Sequence, residues 1–276
     1  MDDSQKRPNW RLLVTEPMSG AWNMAIDEAI AEHAGKGDVP MTLRFYAWAP
    51  PCVSLGRHQP LADVDVEKCS ELGYDVVRRP TGGRAILHTD ELTYSVAGPQ
   101  SDPILAGGVL DSYLRLSQGL LAGLEELGLQ AGKAPVSNRA NADAGPVCFE
   151  VPSAYEIVVG GKKLVGSAQS RRQGWVLQHG TLPLGGDITR LVDVLDIKYS
   201  SERLALKRIL ADRATTVGAV LEGGVGFQRA AEAMSRGFES GVAIELTPGL
   251  LSDEEWGTAE RIWQEKYASD DWTGRF

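Results

Sequence analysis

Thiol chemistry is the first possibility that the sequence raises, because Cys148 lies in the segment Val147-Cys148-Phe149-Glu150. A cysteine thiolate is a nucleophile that can form a covalent intermediate. At an unperturbed pKa near 8.5 only about 3% of a thiol is ionised at pH 7, so catalysis requires a nearby positive charge. A buried structural role is the alternative, since free cysteine is among the most buried residue types. We interpret Cys52, which follows a proline pair, and Cys69, on a predicted helix, in this second way.

Two further segments combine glycines with basic residues and histidines. The first is Arg78–His88, with the sequence RRPTGGRAILH. The second is Gly161–Gln169 (GKKLVGSAQ), which is followed by Leu177–Leu182 (LQHGTL). Glycine permits a close approach of the backbone to a bound molecule, although it also serves in ordinary turns. These segments are therefore candidates for a ligand site.

Each of these segments contains two adjacent basic residues on a predicted strand. Successive side chains of a strand point to opposite faces of the sheet. Only one of Arg78 and Arg79 should therefore point into a pocket, and Lys162 and Lys163 should also lie on opposite faces.

Several common catalytic motifs do not occur in the sequence. It has no Walker A pattern, no GxGxxG after a predicted strand and no GxSxG elbow. The four histidines are scattered, with no HExxH and no zinc-ligand spacing. These absences count against a nucleotide-binding loop, a serine hydrolase and a zinc enzyme.

Composition and charge narrow the possible partners. Lys and Arg number 28 against 37 Asp and Glu, which gives a net charge of −9 at pH 7. Nucleic-acid binding needs a basic face, so we expect no nucleic-acid partner. No apolar run approaches the length of a membrane span, and the polar start does not resemble a signal peptide, so we expect no membrane partner. Three cysteines without a CxxC pair are typical of a reducing cytoplasm.

The pattern of apolar residues predicts an α+β fold, because strands come in adjacent runs and helices follow them. Strands are predicted at Trp10–Val14, Thr42–Trp48, Tyr74–Arg79, Arg84–His88, Leu92–Ala97, Tyr155–Val159, Lys163–Gln169, Trp175–Leu184 and Val242–Leu246. Helices are predicted at Trp22–His33, Val64–Leu72 and Val109–Leu127, with further helices after Asp187. Gly160-Gly161 should form a hairpin turn. No break in composition marks a linker, so we expect one domain over 1–276 with its core at about 35–245.

The order RRPTGGR…H, GKKLVGSAQ, LQHGTL resembles that of the lipoate/octanoate protein transferase superfamily, from about Trp10 to Trp272. Together with RRPTGGR, the position of Cys148, 15 residues before Lys163, is similar to that in LipM-type octanoyltransferases. This resemblance implies a fold like that of biotin and lipoate protein ligases, with a mixed, largely antiparallel sheet flanked by helices.

The resemblance also implies a reaction. Octanoate would move from an acyl carrier protein to the lipoyl-domain lysine of a glycine cleavage H protein, through a thioester on Cys148. Lys163 would lower the pKa of Cys148 and could act as a base. Exchange of a thioester for an amide is downhill, so we expect no cofactor and no metal. The implied substrate-binding residues are Arg78, Gly82, Gly83, His88, Gly166, Ser167, Gln169, His179 and Gly180. For each histidine a structural role is an equal alternative.

Three other functions stay open at this point. The chain could be an ATP-dependent lipoate–protein ligase, an octanoyl amidotransferase acting between lipoyl proteins, or a non-catalytic protein that binds a lipoyl or biotin-like group. Acidic partners would have to dock on local basic clusters of this net-negative chain. The candidate clusters are Arg78, Arg79 and Arg84; Lys162, Arg171 and Arg172; and Lys207, Arg208 and Arg213. Each cluster could equally be a solvated face.

Overall fold

The computed structural model describes residues 7–134, 156–172 and 174–276. The strands are β1 (Asn9–Val14), β2 (Thr42–Tyr46), β3 (Cys52–Leu55), β4 (Asp75–Arg78), β5 (Ile86–His88), β6 (Glu91–Pro99), β7 (Gly132–Lys133), β8 (Ile157–Val159), β9 (Lys162–Arg172), β10 (Trp175–Pro183) and β11 (Glu245–Pro248). The α-helices are α1 (Gly20–Lys36), α2 (Val66–Glu71), α3 (Val109–Glu126), α4 (Ser200–Arg213), α5 (Val217–Leu221), α6 (Phe227–Gly241), α7 (Asp253–Ile262) and α8 (Asp270–Thr273). A 3₁₀ helix at Ile188–Val194 precedes α4.

These described residues form a large mixed sheet and a small one. Eight strands make the large sheet in the order β11-β1-β2-β6-β10-β9-β8-β7, and β4-β3-β5 make the small sheet. Strand β1 pairs in parallel with both of its neighbours, β11 and β2. All the other pairings within the large sheet are antiparallel. The predicted α+β class, with a mixed and largely antiparallel sheet flanked by helices, is confirmed.

Helices cover both faces of the large sheet because its side chains alternate between the faces. On one face Val176 of β10 belongs to the same buried cluster as Leu120 of α3 and Phe238 of α6. On the other face its neighbour Leu177 packs in a second cluster with Met24 and Ile30 of α1. A third cluster joins β3 to the 3₁₀ helix and α4. The small sheet thus has a core of its own, while Cys52 and Val77 on its other side join the second cluster with Leu177.

The predicted hairpin is present in its described part. Strands β8 and β9 are joined by Gly160 and Gly161, whose φ angles of 56° and 79° lie in the left-handed region. The predicted start of β8 at Tyr155 lies outside the described residues. In β9 the expected alternation also holds, because Lys163 is 1% exposed whereas Lys162 is half-buried and donates from Nζ to the Ala211 carbonyl at 2.7 Å.

Three features of the fold differ from the prediction, namely one additional strand, the start of another strand and the extent of the core. Strand β3 was not predicted, because its four residues directly follow the Pro50-Pro51 pair. Strand β11 begins at Glu245, not at Val242, since the Val242 amide donates to Phe238 and ends α6. Buried residues run from Trp10 to Tyr267, beyond the expected 35–245, because β1 joins the sheet and α7 packs against α1. None of the helices in the described ranges is long and apolar enough to cross a bilayer.

Candidate active site

The predicted glycines and histidines converge on one cavity between the two sheets, which we call the central cavity. It contains about 460 Å³ of space not filled by protein atoms, part of it open to solvent. Seven of the nine predicted substrate-binding residues line it, namely Gly82, Gly83, His88, Gly166, Ser167, His179 and Gly180. They come from three separate segments of the chain, so the fold brings together what the sequence motifs keep apart.

Arg78 is one of the two that do not line this cavity. Its buried guanidinium donates to the carbonyls of Gly56 at 2.9 Å, Gln59 at 2.6 Å and Thr273 at 2.7 Å. The Trp272 indole N–H donates in turn to the Arg78 carbonyl at 2.7 Å. Arg78 therefore fastens the C-terminal segment to the small sheet, which corrects its expected place in a substrate pocket.

Arg79 is the residue of the pair that lines the central cavity. Its guanidinium donates to the carbonyls of Ser54, Gly82 and Arg84, each at 2.8 Å. Only one of the two arginines does face a pocket, as expected, but it is the second one. By holding the Gly82 carbonyl, Arg79 fixes the glycine turn at the edge of the cavity.

Gln169 lines a neighbouring space, which we call the side cavity. Its amide donates to Ser112 Oγ and to Gln178 Oε1, both at 3.0 Å. The side cavity also borders Glu156, and it shares Ser167 and Ala168 with the central cavity. Gln169 therefore lines the side cavity and not the central cavity, where seven of the other predicted residues lie.

A buried carboxylate organises the wall of the central cavity. Asp27 of α1 accepts hydrogen bonds at 2.8 Å from Arg44, Tyr46 and Ser95, and it faces His179 Nδ1 at 3.4 Å. Burial acts to raise the pKa of Asp27, but the His179 hydrogen bond and the Arg44 charge outweigh it and lower the pKa. Asp27 is therefore ionised at neutral pH.

This carboxylate sets the protonation of His179. Burial lowers the pKa of His179 more than Asp27 raises it, so the ring is neutral at pH 7. Because the Asp27 carboxylate only accepts, Nδ1 carries the ring proton and Nε2 accepts from Thr81 Oγ1 at 2.6 Å. Thr81 directly precedes Gly82, so His179 connects Asp27 to the glycine turn.

His88 is held on both sides as well. Its Nδ1 lies 2.8 Å from Glu91 Oε1, its Nε2 lies 2.7 Å from Ser54 Oγ, and its ring stacks on Trp48 with 4.0 Å between centroids. Burial acts to raise the pKa of Glu91, but His88, Thr181 and Thr93 together outweigh burial and lower it. Both histidines thus use their ring nitrogens on protein groups and give the cavity wall its shape.

Lys163 is buried in β9, and its ammonium lies 2.5 Å from Glu156 Oε1. Cys148 lies outside the described residues, so its position relative to Lys163 stays a prediction. The other two thiols are fully buried. Burial, with Asp75 next, raises the pKa of Cys52 far above its ordinary value, and burial and Asp65 raise that of Cys69 to about 11. Both are protonated at pH 7, which supports a structural role for them.

The three basic clusters differ in how far their side chains are exposed to solvent. Arg78 and Arg79 are buried, and Arg84 lies 3.9 Å from Asp63. In the second cluster Arg172 pairs with Glu28 at 3.1 Å and Arg171 donates to the Leu105 carbonyl at 2.7 Å. In the third cluster, on α4, Lys207 pairs with Asp193, whereas Arg208 and Arg213 are exposed. The α4 cluster therefore remains the best-exposed docking candidate.

Four residues of the site, Asp27, Arg44, Thr81 and Glu156, were not predicted from the sequence. A signal existed for Asp27, because it is a charged residue within the apolar run Met24–Ile30 of a predicted helix. Such a residue is rarely buried without a partner.

The fold and the cavity define a class of catalytic domain. The sequence profile of the lipoyl protein ligase A/B catalytic domain matches residues 19–239, a range that contains every residue lining the central cavity. A bi-partite lipoate protein ligase from Thermoplasma acidophilum superimposes with a TM-score of 0.81 at 24% identity, covering 98% of both chains. This similarity confirms the expected fold.

Full-length relatives narrow the class. An octanoyltransferase LipM from Brevibacillus brevis is 41% identical, with 96% of this chain and 99% of the relative covered. Another, from Symbiobacterium thermophilum, is 43% identical over 97% of this chain and 98% of the relative. The chain belongs to the lipoyl protein ligase A/B catalytic domain family and, within it, to the octanoyltransferases called LipM, so it is an acyltransferase.

The neutral state of His179 predicts a pH-dependent stability. Its pKa is lowered in the folded protein, so as the pH falls below about 6.5 the unfolded chain binds a proton that the folded chain does not. The free energy of unfolding should fall over this range, by at most about 1.4 kcal/mol per pH unit from this group. Thermal unfolding between pH 8 and 5 measures the slope, which should be shallower in His179→Gln. The exposed His58 provides the control His58→Gln, which should keep the wild-type slope; an unchanged slope in His179→Gln would contradict the assignment.

The contact between β9 and β10 predicts a steric limit at Gly180. A Cβ there would collide with the Gly166 carbonyl oxygen and lie 2.6 Å from Tyr94 Cε1. We expect Gly180→Ala to lower the free energy of unfolding by about 1–3 kcal/mol. Gly82→Ala is the matched control, because a Cβ at Gly82 meets no heavy atom within 4 Å, and it should change stability by less than about 0.5 kcal/mol. Urea unfolding compares the two, and equal losses would argue against this packing.

Proposed function

We propose that this octanoyltransferase takes its acyl group from octanoyl-acyl carrier protein and passes it to the lipoyl-domain lysine of glycine cleavage H protein, through a thioester on Cys148. The observation that carries the proposal is the convergence of seven motif residues on the central cavity. The proposal places this work in the cytoplasm, which the cysteine usage of the chain favours.

The central cavity suits an acyl chain. Its lining includes the apolar side chains of Met24, Trp48 and Ile86. Burial of about six methylenes stabilises a bound octanoyl group by roughly 5 kcal/mol, at about 0.8 kcal/mol each. Because each additional methylene changes affinity only about fourfold, chain length must be selected by where the cavity ends.

In the first half-reaction the Cys148 thiolate attacks the carbonyl carbon of the donor thioester. The new C–S bond forms as the old one breaks, and the carrier sulfur leaves as a thiolate that takes a proton from the Lys163 ammonium. In the second half-reaction the amine of the acceptor lysine attacks the Cys148 thioester. The C–S bond breaks, an amide forms, and the lysine proton passes to Lys163 or to the leaving thiolate.

Lys163 is suited to support the thiolate. It is buried, and Glu156 holds its ammonium at 2.5 Å. It lies three residues before Gly166, a lining residue of the central cavity, so their Cα atoms are roughly 10 Å apart along β9. A lysine of this kind next to Cys148 that lowers the thiol pKa to about 6 would raise the thiolate fraction at pH 7 about 30-fold.

Incubation with octanoyl-acyl carrier protein should add one octanoyl group to the intact protein, as read by mass spectrometry. Hydroxylamine should release the group, because it cleaves thioesters. Cys148→Ser should abolish the addition, whereas Cys69→Ser should keep it, since Cys69 is buried and protonated. An octanoyl group that persists in Cys148→Ser would contradict the proposed intermediate.

The same assay separates the other activities. Octanoylation of glycine cleavage H protein should proceed without ATP. If free octanoate with Mg-ATP supported the reaction and the carrier-bound donor did not, the protein would be a ligase. If only an octanoylated lipoyl protein served as donor, it would be an amidotransferase.

Lys163→Ala should slow acylation of Cys148 at pH 7 by about 30-fold, because the thiol loses its neighbouring charge. The loss should shrink above pH 9, where the thiol ionises without help. Alkylation of Cys148 by iodoacetamide across pH 5–10 gives this profile directly. Lys162→Ala is the matched control on the other face of β9, and its profile should equal that of the wild type. A Lys163→Ala profile that does not move to higher pH would exclude the activating role.

A further inference from the structure

A second space, which we call the outer cleft, adjoins the central cavity. It is formed by β5, the β5–β6 turn, the end of β10, the 3₁₀ helix and α4, and it contains about 550 Å³ not filled by protein atoms. Ile86 and Thr181 line both spaces. The octanoyl site and the outer cleft are therefore separated by two shared side chains.

The outer cleft leads from the surface to that shared wall. Its inner end is buried, with Thr181, Leu191 and Leu210 each at most 3% exposed. Its outer end carries the exposed residues Asp90 and Asp187. A slim molecule entering past these carboxylates would meet Ile86 and Thr181, which also line the central cavity.

The lining changes in chemistry along the same direction. Leu191 and Leu210 make the buried part largely apolar, although the buried Glu91 carboxylate also lines it, whereas the outer part offers hydrogen-bonding groups. There the Arg190 guanidinium donates to Thr89 Oγ1 at 2.8 Å and to the Asp90 carboxylate. An arm of methylenes and amides matches this sequence of surfaces better than a rigid aromatic ring does.

Helix α4 connects the outer cleft with Lys163 and carries exposed arginines. Ala214, at its C-terminal end, lines the cleft and forms a bridge with Lys163, and the next amide, Thr215, donates to the Lys163 carbonyl at 3.0 Å. Arg208 and Arg213 are exposed on the same helix. These arginines offer positive charge to a phosphate at the base of the arm, although Asp212 is exposed on the same helix and Asp90 and Asp187 stand at the mouth of the cleft.

We propose that the outer cleft binds the phosphopantetheine arm of the acyl donor and delivers its thioester past Ile86 and Thr181. The inference rests on the proposed function, since it assumes a thioester donor. In this arrangement the octanoyl chain occupies the central cavity while the arm fills the outer cleft. The thiol released in the first half-reaction then leaves along the outer cleft, so that the acceptor lysine approaches by a different route.

Gly185→Leu tests this inference because a Cβ at Gly185 meets no heavy atom within 4 Å, and the residue lines the outer cleft. The Cβ of the added side chain therefore meets no neighbouring atom, and the rest of the side chain takes up space at the cleft. Ile188→Trp fills it from the 3₁₀ helix and provides a second variant. Gly257→Leu is the matched control, since Gly257 has equally open surroundings but lies on α7, away from the cleft.

The readout is kcat/KM for octanoylation with two donors, octanoyl-coenzyme A, which carries the full arm, and octanoyl-N-acetylcysteamine, which lacks most of it. We expect Gly185→Leu and Ile188→Trp to lower kcat/KM at least about tenfold for the long donor and less than about twofold for the short one. Gly257→Leu should change neither. Equal losses with both donors, or no loss with either, would overturn the proposal.

Two other outcomes would also decide the matter. If Gly185→Leu weakened the binding of ATP and free octanoate with Mg-ATP were the working donor, the outer cleft would be a nucleotide site and the inference would be wrong. If the wild type accepted no acyl group from any thioester, the proposed function itself would fail. A wild type that is acylated while the variants do not discriminate between donors would leave the proposed function intact and reject only the arm site.

Discussion

One buried carboxylate, that of Asp27, holds the site together. It lies on α1 and binds Arg44 and Tyr46 of β2, Ser95 of β6 and His179 of β10. A helix and three strands of the large sheet therefore meet at a single charged group. Removing one partner of such a buried pair typically costs about 3–5 kcal/mol, because the other charge stays behind without compensation. The register of these strands against α1 depends on this contact.

The small sheet is joined to that arrangement by hydrogen bonds at the cavity. His179 connects Asp27 to Thr81, and Arg79 connects the following glycine turn to Ser54 of β3. His88 adds a further link to Ser54 and stacks on Trp48. Hydrogen bonds between polar groups thus hold the wall of the central cavity together. The surface that faces a ligand consists largely of fixed rings and glycine backbone. Such a preorganised wall favours binding, because few side chains lose conformational entropy when a ligand binds.

The glycines and histidines that the family resemblance implied lie along the central cavity, and their part in substrate binding stays a prediction. The sequence predicts the two faces of Lys162 and Lys163 from strand alternation alone. It cannot choose between Arg78 and Arg79, because that choice depends on where Trp272 and Thr273, almost 200 residues later, pack against the small sheet. Asp27 was missed for the same reason, since its partners lie on distant strands, whereas Glu156 was missed although its partner Lys163 lies only seven residues later. The placement of Cys148 beside Lys163 stays a prediction.

The hydrogen bonds from Arg78 to α8 connect the C-terminal segment with the central cavity. The carbonyl of Phe276 accepts from the amide of Leu61, and the ring of Phe276 lies 5.3 Å from the Arg78 guanidinium. The segment Trp272–Phe276 therefore braces strand β4, which leads into the glycine turn at the central cavity. A change in this segment would reach the cavity through Arg78 and its neighbour Arg79, although none of the residues of the segment lines the cavity.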